Sequence, residues 1–251
     1  MMIRKMKMSK AFFLILISGF LLSMKISSTT LNDITSNSKK LKTISLSFLP
    51  LFKNENLDFK DKIYENENSQ KFSIETLKVY ISKIKFLNKN NEVFVETNSF
   101  HLLDIDKTES MLIKIQIPAT LQYDEIQFGI GVDSVSNVGP MIGDLDPTKG
   151  MYWTWKAGYI NFKLEGYRDG IKSRNQEFQF HLGGYMPGEN CFQETHFALS
   201  QKNKTSIKIG IDIFDFMHQI DLNKQNHIMS PGEEAVSLSN QLLKSFKLIK
   251  E

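Results

Sequence analysis

Between residues 44 and 213 the apolar side chains recur at every second position, in short runs that stop at turn residues. Period-two alternation puts one face of each segment into a core and the other towards solvent, which is the pattern of strands and not of helices. Ile44, Leu46 and Phe48 make one run, ending at Pro50. Met111, Ile113, Ile115 and Ile117 make another, ending at Pro118. Further runs are Ile126/Phe128/Ile130, Ile160/Phe162/Leu164, Phe178/Phe180/Leu182 and Ile207/Ile209/Ile211/Ile213. From Phe72 to Phe86 the phase changes twice: Phe72 and Ile74, then Leu77, Val79 and Ile81, then Ile84 and Phe86. One inserted residue flips every side chain to the other face, so two changes predict bulges or a break. Residues 54–69 are polar and predict a long loop, and Asn88–Asn91 a turn. Many short strands between turn signals favour a sandwich over alternating strands and helices.

The C-terminus changes period. Ser230-Pro231-Gly232-Glu233 has the order of a helix start, with Ser at N-cap, Pro at N1 and Glu at N3. Ala235, Leu238, Leu242, Phe246 and Ile249 follow on a single helical face. The expected fold is therefore mainly β: an antiparallel β-sandwich with long loops and one C-terminal amphipathic helix.

The N-terminus predicts export. Arg4, Lys5, Lys7 and Lys10 precede an uncharged apolar run over residues 11–24, too short to span a bilayer comfortably. The division is residues 1–24 as signal peptide, 25–40 as a disordered Ser/Thr/Asn-rich linker and 41–251 as the folded domain. No stable membrane insertion is expected after processing. The net charge of +3 falls to −1 without the four leader cations, and no block of five like charges exists. Nucleic-acid binding, which needs a concentrated basic face, is thereby disfavoured. With Cys191 as the one cysteine, packing alone must hold an exported domain.

Three segments could carry chemistry. Asp133, Asn137, Asp144 and Asp146 lie among glycines in one loop. Such oxygens can wrap a hard cation such as calcium, or cap turns through their own backbones. Trp153 and Trp155 are the two tryptophans of the chain. Two apart on a strand they would share a face, as part of a core or edge cluster with Met151 or as a surface for a soft metal, an electron or a ring-shaped ligand. His181, Met186, Cys191 and His196 are soft or borderline donors of the kind Cu(I) accepts, although their spacing matches no metal motif. His181 ends a strand beside Gly183-Gly184, and His227, just before the helix, could cap it or bind. His101 and His218 stand in apolar contexts. The signatures G-x-S-x-G, H-E-x-x-H, P-loop and C-x-x-C are missing, which argues against hydrolysis.

Several segments, in order, resemble the MbnP-like family, exported copper-binding proteins associated with methanobactin and related to methanotroph copper proteins of the CorA and MopE type. They are Leu77–Ile84 (LKVYISKI), Leu102–Asp104 (LLD), Gly131–Asp133 with Asn137, Gly143–Gly166 (GDLDPTKGMYWTWKAGYINFKLEG), His181–Gly184 (HLGG), and His227–Ala235 (HIMSPGEEA) with Asn240. The resemblance implies a periplasmic β-sandwich that handles copper. It also implies that a tryptophan is oxidised by a di-haem MauG-like partner and then helps histidines bind the metal. On this basis Trp153 and Trp155 are the residues open to modification, and His181, His227 and the tryptophans the copper-site candidates. Asp133, Asn137, Asp144 and Asp146 make a calcium site or a structural loop. The alternative function is a ligand- or glycan-binding sandwich that uses the same aromatic pair without metal.

Overall fold

The computed structural model describes residues 40–250, and the expected signal peptide and nearly all of the expected linker lie outside the described residues. Among the described residues there are fifteen strands and two short α-helices. The strands are β1 (Leu41–Phe52), β2 (Glu55–Asn56), β3 (Tyr64–Glu65), β4 (Lys71–Asn88), β5 (Asn91–Val95), β6 (Phe100–Asp104), β7 (Leu112–Pro118) and β8 (Glu125–Ile130). Then come β9 (Tyr152–Thr154), β10 (Gly158–Tyr167), β11 (Glu177–Gly183), β12 (Gln193–Ala198), β13 (Ser206–Asp212), β14 (His227–Ile228) and β15 (Phe246–Leu248). The helices are α1 (Ile213–Met217) and α2 (Glu233–Leu242). No helix among the described residues is long and apolar enough to cross a membrane.

A small sheet runs β15-β13-β1, with β7 and β2 also paired to β1. A large one runs β12-β8-β4-β10-β11-β14, and β4 carries β3, β5 and β6 as well. The predicted alternation supplies the core between them. Ile44, Leu46, Phe48, Ile113, Ile115, Ile117, Ile207, Ile209 and Ile211 face Phe128, Ile130, Phe162, Leu164, Phe178 and Phe180, all buried in one cluster. Phe48 meets Phe128 edge-to-face across the sheets, with ring centroids 5.7 Å apart. Each such side chain contributes about 1.5–3 kcal/mol on leaving water.

The two phase changes are two bulges in one unbroken strand. Glu165 and Gly166 pair with Thr76 and Ile74, which leaves Glu75 as the extra residue. A second register shift lies between Ser82 and Lys85, where Lys83 takes φ +50°. The bulges keep the apolar side chains of all three phases inside, as Ile74, Leu77, Val79, Ile81, Ile84 and Phe86 are all buried.

The mainly-β expectation holds, with three differences. The sheets are mixed: β1 runs parallel to β13 and β11 parallel to β14. β13 ends at Asp212 rather than Ile213, and the Asp212 carboxylate accepts from Phe214 N at 3.1 Å and so opens α1 at Ile213. The C-terminal helix starts after Gly232 rather than Ser230 and ends at Leu242. A 3-10 turn follows, and Phe246 then joins β15 against β13. Phe246 and Leu248 also fit period two, and the open edge of β13 offered backbone partners that a longer helix would have left unpaired.

Candidate functional site

Residues 131–157 fold over the face of the large sheet that looks away from the small one and make a second core. Tyr80, Leu102, Val132, Leu145, Met151, Tyr159 and Ile160 are buried there, with Trp153 half-buried against them. The Tyr80 hydroxyl donates to Asp144 O at 2.8 Å and the Tyr159 hydroxyl to Leu145 O at 2.7 Å, tying the loop to β4 and β10.

The four oxygen-bearing candidates serve separate bonds in this loop. Asp133 accepts from Val135 N and Ser136 N at 2.9 and 3.0 Å and pairs with Lys83 at 3.0 Å. Burial raises its carboxyl pKa, but the Lys83 and Ser136 contacts outweigh this and hold it below the usual range. The Asn137 amide donates to Val132 O and Asp133 O and accepts from Tyr159 N at 2.9 Å. Asp144 accepts from Leu102 N at 2.9 Å and pairs with Lys149. Asp146 accepts from Thr148 N at 2.9 Å, closing the turn over residues 147–149. Among the described residues, no three His, Cys, Asp or Glu side chains converge to hold a metal ion.

The tryptophans part company. β9 stops at Thr154, so the strand that would set both indoles on one face does not reach Trp155. Trp155 stands 71 % exposed in the following turn, with Lys156 Nζ 5.3 Å from its ring centroid. Trp153 packs over Gly183, where an added Cβ would lie 2.9 Å from its Cζ3. Its Nε1 is buried with no hydrogen-bond partner.

His181 sits two residues before Gly183 on β11, on the same face. It is 4 % exposed, and its Nε2 lies 2.6 Å from Glu165 Oε1 on the neighbouring β10. Its Nδ1 is buried without a partner. The His181 hydrogen bond holds the Glu165 carboxyl below its usual range against the opposing cost of burial. Lys163, opposite His181, stands 3.9 Å from the same carboxylate. His227 on β14 pairs in register with Gln179, which puts it on the His181 face one step away, exposed to solvent.

The other soft donors do not join this group. The Cys191 thiol is buried, donates to Gly183 O at 3.1 Å, and is pushed up by burial. Met186 is 48 % exposed on the loop beyond β11. His196 lies on β12, at the opposite end of the large sheet. His101 bonds Glu96 at 2.9 Å, and His218 Nδ1 lies 2.8 Å from Asp215 O.

The fold thus sets Trp153 against the strand that carries His181, leaves His227 exposed beside Gln179 and leaves Trp155 at the surface. No histidine lies between Gly143 and Gly166 in sequence, yet β11 brings one to the half-buried indole. Glu165 is the residue that sequence reasoning missed. Its signal was its polar place in the alternation of β10, legible only once the β10–β11 register is known.

A profile of the MbnP family matches residues 41–230. Among solved structures, MbnP from Methylosinus trichosporium is similar in fold, with a TM-score of 0.58 at 12% identity over 78% of this chain and 87% of that one. No curated protein matches the chain.

Proposed function

Because the chain belongs to the MbnP family, we propose that it is an exported copper-handling protein whose copper site is built on His181 and Trp153. The observation that carries the reading is the pair of buried nitrogens without partners, His181 Nδ1 and Trp153 Nε1, on neighbouring elements of one face. A buried polar atom left unpaired costs about 1–3 kcal/mol. Such atoms beside the closely packed Gly183-Gly184 pair are unusual unless something occupies them. An imidazole nitrogen suits copper, and His227, on the strand next to β11, would be the second. Copper, when bound, supplies a soft Lewis acid held by imidazole.

In this reading Trp153, rather than Trp155, is the indole a di-haem partner oxidises for metal binding, because it packs against the strand that carries His181. The charged leader followed by a short apolar run supports a periplasmic location. The chain acts as a binding protein and not as a catalyst. The acidic loop serves as a structural clasp, since its carboxylates are engaged by backbone N–H groups and lysines.

The test is a Cu(I) competition titration against a chromophoric chelator, combined with peptide mass analysis of protein from its native host. The wild type should bind Cu(I), His181→Ala should lose at least about tenfold (~1.4 kcal/mol) in affinity, and Trp155→Phe should change little. Oxidised mass should appear on Trp153. Wild-type binding no tighter than that of His181→Ala, with both tryptophans unmodified, would remove the reading.

A further inference from the structure

We infer that Glu165 is a positioning residue for this site: it holds His181 as the tautomer protonated at Nε2 and thereby presents Nδ1 as the nitrogen that takes Cu(I). The inference rests on the copper reading above, but its first half concerns the metal-free protein alone.

The geometry has few solutions. Glu165 Oε1 stands 2.6 Å from His181 Nε2, a distance that requires a shared proton. An ionised carboxylate can only accept, so the imidazole nitrogen donates. A neutral ring carries one proton, and with that proton at Nε2 the Nδ1 lone pair is left exposed to whatever lies beside it. Nδ1 meets no donor or acceptor among the described residues and no solvent. The carboxylate is held in turn. Lys163 lies 3.9 Å from Oε1, and its ammonium donates to Gly150 O at 3.2 Å, on the segment that leads into β9 and Trp153. Glu165 and His181 belong to strands whose pairing is continuous from Phe162/Leu182 to Tyr167/Glu177, which sets the two side chains diagonally on one face of the hairpin.

A metal-binding imidazole whose other nitrogen donates to a carboxylate has its ring orientation fixed and its basicity raised, and loss of the carboxylate typically costs ten- to a hundredfold in affinity. Glu165 is not itself a ligand here, because its oxygen is engaged by the far side of the ring. One carboxylate therefore determines which nitrogen of His181 is left free for the metal.

Two measurements test this. Long-range proton–nitrogen NMR correlation on the metal-free, nitrogen-15-labelled protein reads the tautomer of His181 directly, with His181→Gln identifying its signals. The expected pattern is a protonated Nε2 and an unprotonated Nδ1. Cu(I) titration of Glu165→Ala should show affinity reduced about ten- to a hundredfold, while Glu165→Gln, whose amide oxygen can still accept from Nε2–H, should recover most of it. A His181 protonated at Nδ1 in the metal-free protein would overturn the inference. So would Glu165→Ala binding Cu(I) like the wild type while His181→Ala does not, with the copper reading intact. Should His181→Ala bind as tightly as the wild type, the copper reading falls and the role of Glu165 towards the metal falls with it.

Discussion

Replacing Asn137 by alanine separates a structural clasp from a cation site. The side chain is 4 % exposed and makes three bonds that join the loop to β10: two donated to Val132 O and Asp133 O, and one accepted from Tyr159 N. Alanine leaves the Tyr159 N–H buried and unpaired at about 1–3 kcal/mol, and removes two bonds of about 0.5–1.5 kcal/mol each. The total is about 3 kcal/mol, which for a domain of this size lowers Tm by about 6–12 °C. Urea unfolding followed by circular dichroism gives the global figure. Hydrogen exchange at Tyr159 N–H shows whether the loss begins at the loop. Asn137→Asp keeps the acceptor for Tyr159 but turns a carboxylate towards two carbonyls, and should fall nearly as far. The reasoning fails if Asn137→Ala unfolds within about 0.5 kcal/mol of the wild type. It fails equally if a calcium chelator destabilises the wild type as much as the mutation does, because the strength would then reside in a bound cation.

Other outcomes follow from single contacts. Gly183→Ala puts a Cβ 2.3 Å from Tyr159 O and 2.9 Å from the Trp153 ring, so it should cost about 1–3 kcal/mol and shift Trp153 fluorescence; an unchanged spectrum and midpoint would refute the packing. Asp212→Ala removes the acceptor of Lys53 N, Asn54 N and Phe214 N and the partner of Lys247, at about 3–5 kcal/mol; a loss under about 1 kcal/mol in urea would refute its role. Burial pushes Tyr123 and Tyr159 up to about 12, and Tyr80 higher still, so the native state prefers their protonated forms. The stability they contribute is full below about pH 10 and is lost as pH rises towards 12. Absorbance titration should show these three ionising last of the seven tyrosines, and ionisation of all seven together while the protein is still folded would contradict their burial.

Much of the fold was legible because burial on one face leaves a period-two mark in the sequence. The phase changes even located the bulges at Glu75 and Lys83, since each extra residue reverses the alternation. The parallel partnership of β1 with β13 was not legible, because alternation reports which face is buried and not which strand lies alongside. The helix was extended too far for a related reason: Phe246 satisfies both the helical and the strand period, and the open edge of β13 settled the choice. At the site, His181 and Trp153 stood out by residue type. Their closeness, the separation of Trp155 and the part played by Glu165 depend on where β9 stops and how β10 registers with β11, neither of which local sequence encodes.

The pairing of Ser45 with Ser206 has a kinetic side. β1 is near the start of the domain, and its parallel neighbour is made almost at the end, so the centre of the small sheet has to wait for nearly the whole chain. Until then β1 has only β7 and β2 beside it, and closing so long a loop is slow. The large sheet, whose β4–β5 and β10–β11 hairpins are local, can pair well before the small one closes.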